Sequence, residues 1–273
     1  SEMCIRDRDI HFLIGGTQTN FTVIAAALRP HQCVLCADTG HINVHESGAV
    51  EACGHKVSAI PSPDGKLTAR QIEEAWHAQW DDETREHMPQ PRMVYISQPT
   101  ELGTIYSRKE LQEISGVCRR RGLYLYMDGA RLGYGLCDED NDLDLPAIAS
   151  LCDAFYIGGT KVGALFGEAL VLRHEALKED FRYIAKQKGG RLAKGRLLGI
   201  QFLELFRDGL YFRLGAHADR LAVMLRDFCR SRGLSLPFSS GTNQQFVTMP
   251  DSVLEELGRK YGFAYLRRED ETH

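Results

Sequence analysis

Short apolar runs alternate along this chain with longer stretches in which apolar residues recur at every third or fourth position. Runs of the first kind suit strands buried on both faces, and the second kind suits helices with one buried face. The spacing predicts strands at Cys33–Ala37, Val57–Ile60, Met93–Ser97, Leu123–Met127, Ala154–Ile157 and Ala169–Leu172. Between them lie helices with readable ends. His11–Ile14 leads through Gly15-Gly16-Thr17 into a helix near Gln18–Leu28, which Pro30 stops. Thr68 opens a helix to about Trp80, with Gln71 placed to complete a capping box. Ser107 caps another that ends at Arg121, just before Gly122. From Leu197 to about Arg232 the pattern is helical, with interruptions expected near Gly209 and Gly215, and Gln245–Met249 is expected to form a strand.

Strands alternating with helices predict an α/β fold, a mainly parallel sheet flanked by helices on both faces. A large domain is expected over residues 10–214 and an incomplete α+β small domain over 215–273, with residues 1–9 outside both. The octet Ser1-Glu2-Met3-Cys4-Ile5-Arg6-Asp7-Arg8 reads as the translation of a sequencing-library adaptor, so the chain is expected to be a fragment at its front end.

Composition narrows the class. Of 273 residues, 43% are hydrophobic and 26% charged, the balance of a soluble globular protein. A net charge of −4 disfavours a nucleic-acid binder, which needs a basic face. No apolar stretch approaches a membrane span and no signal peptide opens the chain, so no membrane partner and a cytoplasmic address are expected. The eight cysteines lack the pattern of a disulfide framework. Cys33 and Cys36, three apart on an expected strand, point to opposite faces and are read as reduced core residues.

The polar residues at strand ends carry the candidate chemistry, because open α/β sheets bind ligands at the carboxyl ends of their strands. Gly15-Gly16-Thr17-Gln18-Thr19-Asn20 opens a helix whose first N–H groups, with the Thr17 hydroxyl, suit a phosphate, although a plain tight turn explains the same residues. Asp128 follows the apolar run Leu123–Met127, so its carboxylate sits at the mouth of a buried strand and needs a cationic partner. Arg131 and a protonated pyridine nitrogen are both open as that partner. Lys161 follows Ile157-Gly158-Gly159-Thr160 at another strand end, where a low-dielectric pocket would lower its amine pKa as Schiff-base chemistry requires; an ordinary loop lysine is the alternative. His41, just past the Cys33–Ala37 strand, is placed to stack on a ring. A phosphate cradle, a carboxylate and an amine are the three handles of pyridoxal phosphate.

In order along the chain stand Gly-Gly-Thr-Gln-Thr-Asn at 15–20, Gly40-His41-Ile42-Asn43-Val44-His45-Glu46 with Gly48, Met127-Asp128-Gly129-Ala130-Arg131-Leu132, and Gly158-Gly159-Thr160-Lys161 with Gly167-Glu168-Ala169. This combination resembles the low-specificity threonine aldolases, within the β-eliminating lyase group of fold-type-I pyridoxal-phosphate enzymes. The resemblance implies an aspartate-aminotransferase-like large domain. It also implies aldol cleavage of L-threonine or L-allo-threonine to glycine and an aldehyde in a homodimer or homotetramer. By position it makes Lys161 the residue that holds pyridoxal 5'-phosphate as a Schiff base, and Asp128 the partner of the pyridine nitrogen. Gly16 and Thr17 would bind phosphate with help from Thr160, His41 would stack on the ring, and Arg131 would lie beside cofactor and substrate. His45 falls where the family places an aromatic side chain reaching a neighbouring subunit's site, and the basic stretch Lys186 to Arg196 is expected to approach a phosphate, in its own site or across that interface. Many family members carry a histidine, after Asn-Thr, in the loop following the Met93–Ser97 strand; here Gln98-Pro99-Thr100-Glu101-Leu102-Gly103 has none, which leaves the base for the β-hydroxyl unassigned. The family's carboxylate-binding arginine is expected beyond His273, where this chain stops, and a non-catalytic fragment and a tyrosine- or tryptophan-cleaving lyase are the competing readings.

Other charged clusters read as structural. In the run Asp138-Glu139-Asp140-Asn141-Asp142-Leu143-Asp144, Leu143 stands where a calcium loop needs glycine and Ala149 where it needs glutamate, so a solvated loop is expected. His55, His77 and His87 lack metal-ligand spacing, and no metal is expected. Arg119-Arg120-Arg121 complements a helix dipole, Glu73-Glu74 lies on an exposed helix face, and Tyr261 and Tyr265 are expected in the core.

Overall fold

Continuous apolar runs are stable as strands only where a sheet is covered on both faces, and that is where these lie. The computed structural model describes residues 9–268 and 270, so the adaptor-like octet lies outside the described residues. Seven strands form one sheet: β1 (Asp9–Leu13), β2 (Gln32–Ala37), β3 (Lys56–Ile60), β4 (Gln90–Ser97), β5 (Tyr124–Asp128), β6 (Ala154–Gly158) and β7 (Glu168–Leu172). Their order across it is β1-β7-β6-β5-β4-β2-β3. Strands β2 to β6 run parallel, and β7 is antiparallel to both β6 and β1. All residues of β2, β5 and β7 are buried.

The helices are α1 (Gly16–Ala27), α2 (His41–Val44), α3 (Ala69–Trp80), α4 (Arg108–Arg121), α5 (Leu132–Gly135), α6 (Leu145–Leu151), α7 (Glu175–Lys178), α8 (Phe181–Gln187), α9 (Arg196–Phe206), α10 (Leu210–Ser231) and α11 (Asp251–Gly258). Alternate strand residues feed two cores. Leu35, Val94, Ile96, Leu125, Met127 and Phe155 pack with residues of α3, α4 and α6 on one face. Val34, Cys36, Met93, Tyr95, Tyr126 and Tyr156 pack with residues of α1, α7 and α8 on the other. The two-residue period of a strand thus sorts the chain into both cores. Cys33 and Cys36 are free and buried, and their parity puts them on opposite faces.

Local signals set the helix ends. Thr68 with Gln71 and Ser107 with Glu110 form complete capping boxes, and Gly122 closes α4 in the left-handed conformation at φ 64°. The break expected at Gly209 is present, with Asp208 and Gly209 both at positive φ. None occurs at Gly215. That residue lies inside the 22-residue α10, and a Cβ there would stand 2.5 Å from the carbonyl oxygen of Gly133. The glycine marks a close approach between α10 and α5 rather than a helix end. The domain division expected at residue 214 therefore falls within α10.

Other expectations need correction. Gln245–Met249 forms no strand; the segment contributes a single antiparallel bridge, Thr248 to Ser235, because no neighbouring strand is there to pair with it. Tyr261 and Tyr265 are 53% and 72% exposed, because α11 stops at Gly258 before either. The acidic run is not simply solvated. Asp138 is buried and accepts the Asp140 N–H, Asp142 accepts the Arg108 N–H, and Asp144 caps α6 through the Ala147 N–H. Glu73 is half-buried and pairs with Arg121, whose guanidinium lies over the Trp76 ring.

Candidate active site

The strands β4, β5 and β6 end along one edge of the sheet at Ser97, Asp128 and Gly158, and antiparallel β7 begins there at Glu168. Strand β1 leads to the same edge and hands over to α1. A cavity of about 260 Å³ opens at this edge. Gly16, Thr17, His41, Asp128, Arg131, Thr160 and Lys161, residues far apart in the chain, all line it.

Helix α1 presents its N-terminus to the cavity. Gly15, in extended backbone, caps it without a side-chain hydrogen bond, and the first helical bond runs from Thr19 N–H to the Gly15 carbonyl. The amides of Gly16, Thr17 and Gln18 are therefore left without an acceptor among the described residues. Three orphan donors at the positive end of a helix suit an anion. Glycine at position 16 leaves room for the Tyr156 hydroxyl, which would stand 3.0 Å from a Cβ there and would have to shift to admit one.

Asp128 is 4% exposed. Its Oδ2 accepts from Asn20 Nδ2 at 2.9 Å and from the Tyr95 hydroxyl at 2.6 Å; its Oδ1 accepts from the Ala130 N–H at 2.9 Å and from the Tyr156 hydroxyl. These donors are all neutral. Burial and the Asp128 charge push the Tyr95 and Tyr156 hydroxyls well above their ordinary range, so they stay protonated and donate. The expected alternative, an Arg131 ion pair, is not formed among the described residues. A buried carboxylate held only by neutral donors still lacks a counter-charge, which a protonated ring nitrogen would provide. A carboxylate offers about four lone-pair positions, all filled here, so an arriving ring nitrogen must displace a donor. Of the four donors, the Tyr156 hydroxyl and the Ala130 N–H belong to residues that line the cavity.

Lys161 opens to solvent through the cavity mouth, yet desolvation lowers its amine pKa. The Arg131 charge lowers it further, and Asp128, Glu168 and Glu101 oppose the shift. His41 is half-buried and holds Glu46 Oε1 through Nδ1 at 2.8 Å; that bond is the largest cause of its raised pKa, against burial. His45 is exposed, with its ring 5.5 Å from that of His41. The basic stretch 186–196 does not line this cavity; Arg191 and Arg196 border a separate groove beside β1.

Four polar residues without an assigned role also belong to the site. Asn20 bridges the two buried carboxylates, donating to Glu46 Oε1 at 2.7 Å as well as to Asp128, while its Oδ1 accepts from the Tyr126 hydroxyl. One signal could have found it: Asn20 lies four residues after Gly16, on the same face of a helix whose start points at the cavity. Ser97 and Glu101 flank the turn after β4, with the Ser97 hydroxyl donating to Glu101 at 2.6 Å. Glu168 lines the cavity and accepts the Gly159 N–H at 2.8 Å and the Thr160 hydroxyl, tying down the loop that carries Lys161.

Burial pushes the Glu168 carboxyl up to about 7, against the opposing pull of Gly159 and Thr160. Because the folded chain holds this proton more tightly than the unfolded chain, folding is unpenalised below the unfolded carboxyl pKa and penalised as pH rises through 7. Glu168→Gln is expected to remove this penalty, on the order of 1–3 kcal/mol at pH 8. Melting temperatures measured from pH 5 to 8 should fall less steeply for the variant, and parallel curves would refute the assignment.

The fold recurs in known proteins. Residues 7–252 match the family model described as beta-eliminating lyase. A low specificity L-threonine aldolase from a Pseudomonas strain is 34% identical over 261 residues, which cover 93% of this chain and 73% of the relative. The Leishmania major threonine aldolase structure superposes with a TM-score of 0.94 at 45% identity, covering 97% of this chain and 77% of that one. A Thermus thermophilus aspartate aminotransferase, at 13% identity and a TM-score of 0.65, shares the architecture over 86% of this chain and 59% of its own.

Proposed function

We propose that this chain, which belongs to the beta-eliminating lyase family, is a pyridoxal-phosphate-dependent carbon–carbon lyase cleaving β-hydroxy-α-amino acids of the L-threonine and L-allo-threonine type to glycine and an aldehyde. One observation carries the reading: the orphan amides of α1, the Asp128 carboxylate and the Lys161 amine line a single cavity. Each residue then has a task. The Gly16 and Thr17 amides and the Thr17 hydroxyl hold the phosphate, with Thr160 beside them. Asp128 keeps a proton on the ring nitrogen by its negative charge, and Asn20, Tyr95 and Ala130 keep the carboxylate aimed. Lys161, its amine pKa lowered, reaches the neutral form a nucleophile needs more readily than a free lysine does. His41, held by Glu46, would cover one face of the ring. Arg131 stands beside cofactor and substrate, its cation unpaired with Asp128. When bound, pyridoxal phosphate supplies an electron sink for the pair left on Cα as the Cα–Cβ bond breaks.

The same proposal covers setting and assembly. No helix of the described residues is long and apolar enough to cross a membrane, and we place the protein in the cytoplasm. Helices α9 and α10 leave Leu203, Leu221, Met224, Leu225 and Phe228 exposed, a face that suits self-association into a homodimer or homotetramer. The deciding test is incubation with pyridoxal phosphate and L-threonine. Glycine and acetaldehyde in equal amounts are expected; ammonia with a keto acid would instead indicate a β-eliminating reaction, and no turnover by a cofactor-loaded chain would reject the reading.

A further inference from the structure

Aldol cleavage requires a group to take the β-hydroxyl proton, and the loop after β4 contains no histidine to do so. We propose that Glu101 is that acid–base residue, with Ser97 and the His41 amide fixing one carboxylate oxygen and leaving the other open to the cavity. This rests on the lyase reading above.

The geometry separates Glu101 from the other candidates. Its Oε1 accepts both the Ser97 hydroxyl at 2.6 Å and the His41 N–H at 3.0 Å. Its Oε2 accepts no hydrogen bond from another residue among the described residues, is not a sealed, unsatisfied atom, and the side chain lines the cavity. Asp128 has every lone-pair direction engaged. Glu168 also accepts two hydrogen bonds, from the Gly159 N–H and the Thr160 hydroxyl, but burial lifts its carboxyl to about 7, so near neutral pH about half of it already carries a proton. His41 is bonded to Glu46 and its pKa is raised, so it favours keeping its proton over accepting one. Burial raises the Glu101 pKa, which makes its carboxylate a stronger base than a solvated one.

In the step itself, Oε2 takes the proton from the β-hydroxyl. The O–H electron pair becomes the second bond of the aldehyde carbonyl as the Cα–Cβ bond breaks, and that bond's pair stays on Cα. Glu101 then gives its proton to solvent, and Cα takes one to yield glycine. The Ser97 hydroxyl and the His41 amide are positioning groups, since they touch Oε1 and not the reacting atoms.

Glu101→Gln tests this, because the amide oxygen can still accept from Ser97 and His41 while the basic oxygen is lost. The variant is expected to acquire the same visible absorbance with pyridoxal phosphate as the wild type. It should exchange the α-hydrogen of glycine for deuterium, followed by NMR, within a few-fold of the wild-type rate, because that reaction has no β-hydroxyl. Cleavage of L-threonine should fall in kcat by roughly 10²–10⁴-fold with KM little changed. Glu101→Asp, which restores a carboxylate one methylene short, should recover part of the rate. Wild-type cleavage by Glu101→Gln, or an equal loss of cleavage and glycine exchange, would overturn the role. A wild-type chain that acquires no absorbance would remove the parent reading and the role of Glu101 together.

Discussion

Lys161→Ala should acquire no visible absorbance with pyridoxal phosphate and should cleave L-threonine roughly 10⁴-fold or more slowly than the wild type. The physical reason is that, among the described residues, no other lysine lines the cavity. Arg131, whose guanidinium also lines it, keeps its charge throughout the accessible pH range and cannot act as a nucleophile. Because the Lys161 side chain is exposed and makes no hydrogen bond among the described residues, its removal should change stability by no more than about 0.5 kcal/mol. Loss of function without loss of fold is therefore the expected signature. Borohydride reduction of the loaded wild-type chain, followed by peptide mapping, checks the same assignment independently. A label on any residue but Lys161 would overturn it.

Asp128→Asn should retain cofactor absorbance but lose roughly 10²–10³-fold in kcat, because an amide cannot hold a proton on the ring nitrogen through charge. Folding should survive this change. The Tyr95 or Tyr156 hydroxyl can turn to accept from the new amide, but that NH2 also meets a donor-only N–H, of Asn20 or of Ala130, so one lost hydrogen bond is expected, about 1–3 kcal/mol. Asp128→Ala is different. It would strand Asn20 Nδ2 and the hydroxyls of Tyr95 and Tyr156 in a buried site, at about 1–3 kcal/mol for each unsatisfied group. Comparing kcat and melting temperature for the two variants separates charge from scaffolding. Equal kcat for Asp128→Asn and wild type would remove Asp128 from the mechanism.

The two capping boxes, Thr68 with Gln71 and Ser107 with Glu110, show which parts of the structure were legible in advance. Each is a contact between residues three apart, so the sequence displays both partners side by side. The strands that end in Asp128 and in Gly158 were legible because a run buried on both faces has to be apolar throughout. Gly215 shows the opposite case. Read locally, a glycine in a helix suggests an interruption; in the fold it allows α10 to pass 2.5 Å, measured from a notional Cβ, from the Gly133 carbonyl. That neighbour lies too far away in sequence for any local pattern to reveal. Gln245–Met249 failed for a related reason, since a segment rich in strand-forming residues becomes a strand only where another strand offers its edge.

The candidate site divides in the same way. Gly16, Thr17, Asp128 and Lys161 could be named because each stands at a strand or helix end, where a polar residue or glycine breaks the apolar pattern. Asn20, Glu46 and Glu168 could not be given roles. Asn20 acts by joining Glu46, 26 residues away, to Asp128, 108 residues away. The choice between an arginine and a ring nitrogen as the partner of Asp128 was likewise undecidable from spacing, since Arg131 lies near in sequence and yet does not pair with it.

By itself, then, the chain's pattern determined the alternation of strands and helices, the places where helices start and stop, and the strand ends at which polar groups collect. All of these follow from backbone hydrogen bonding and burial over a few residues. Only the tertiary structure decided which strand ends meet at one cavity, which carboxylates are already saturated by neutral donors, and that Glu101 leaves an oxygen free. Those outcomes depend on strand order and on contacts between distant segments, for which a linear pattern carries no local mark.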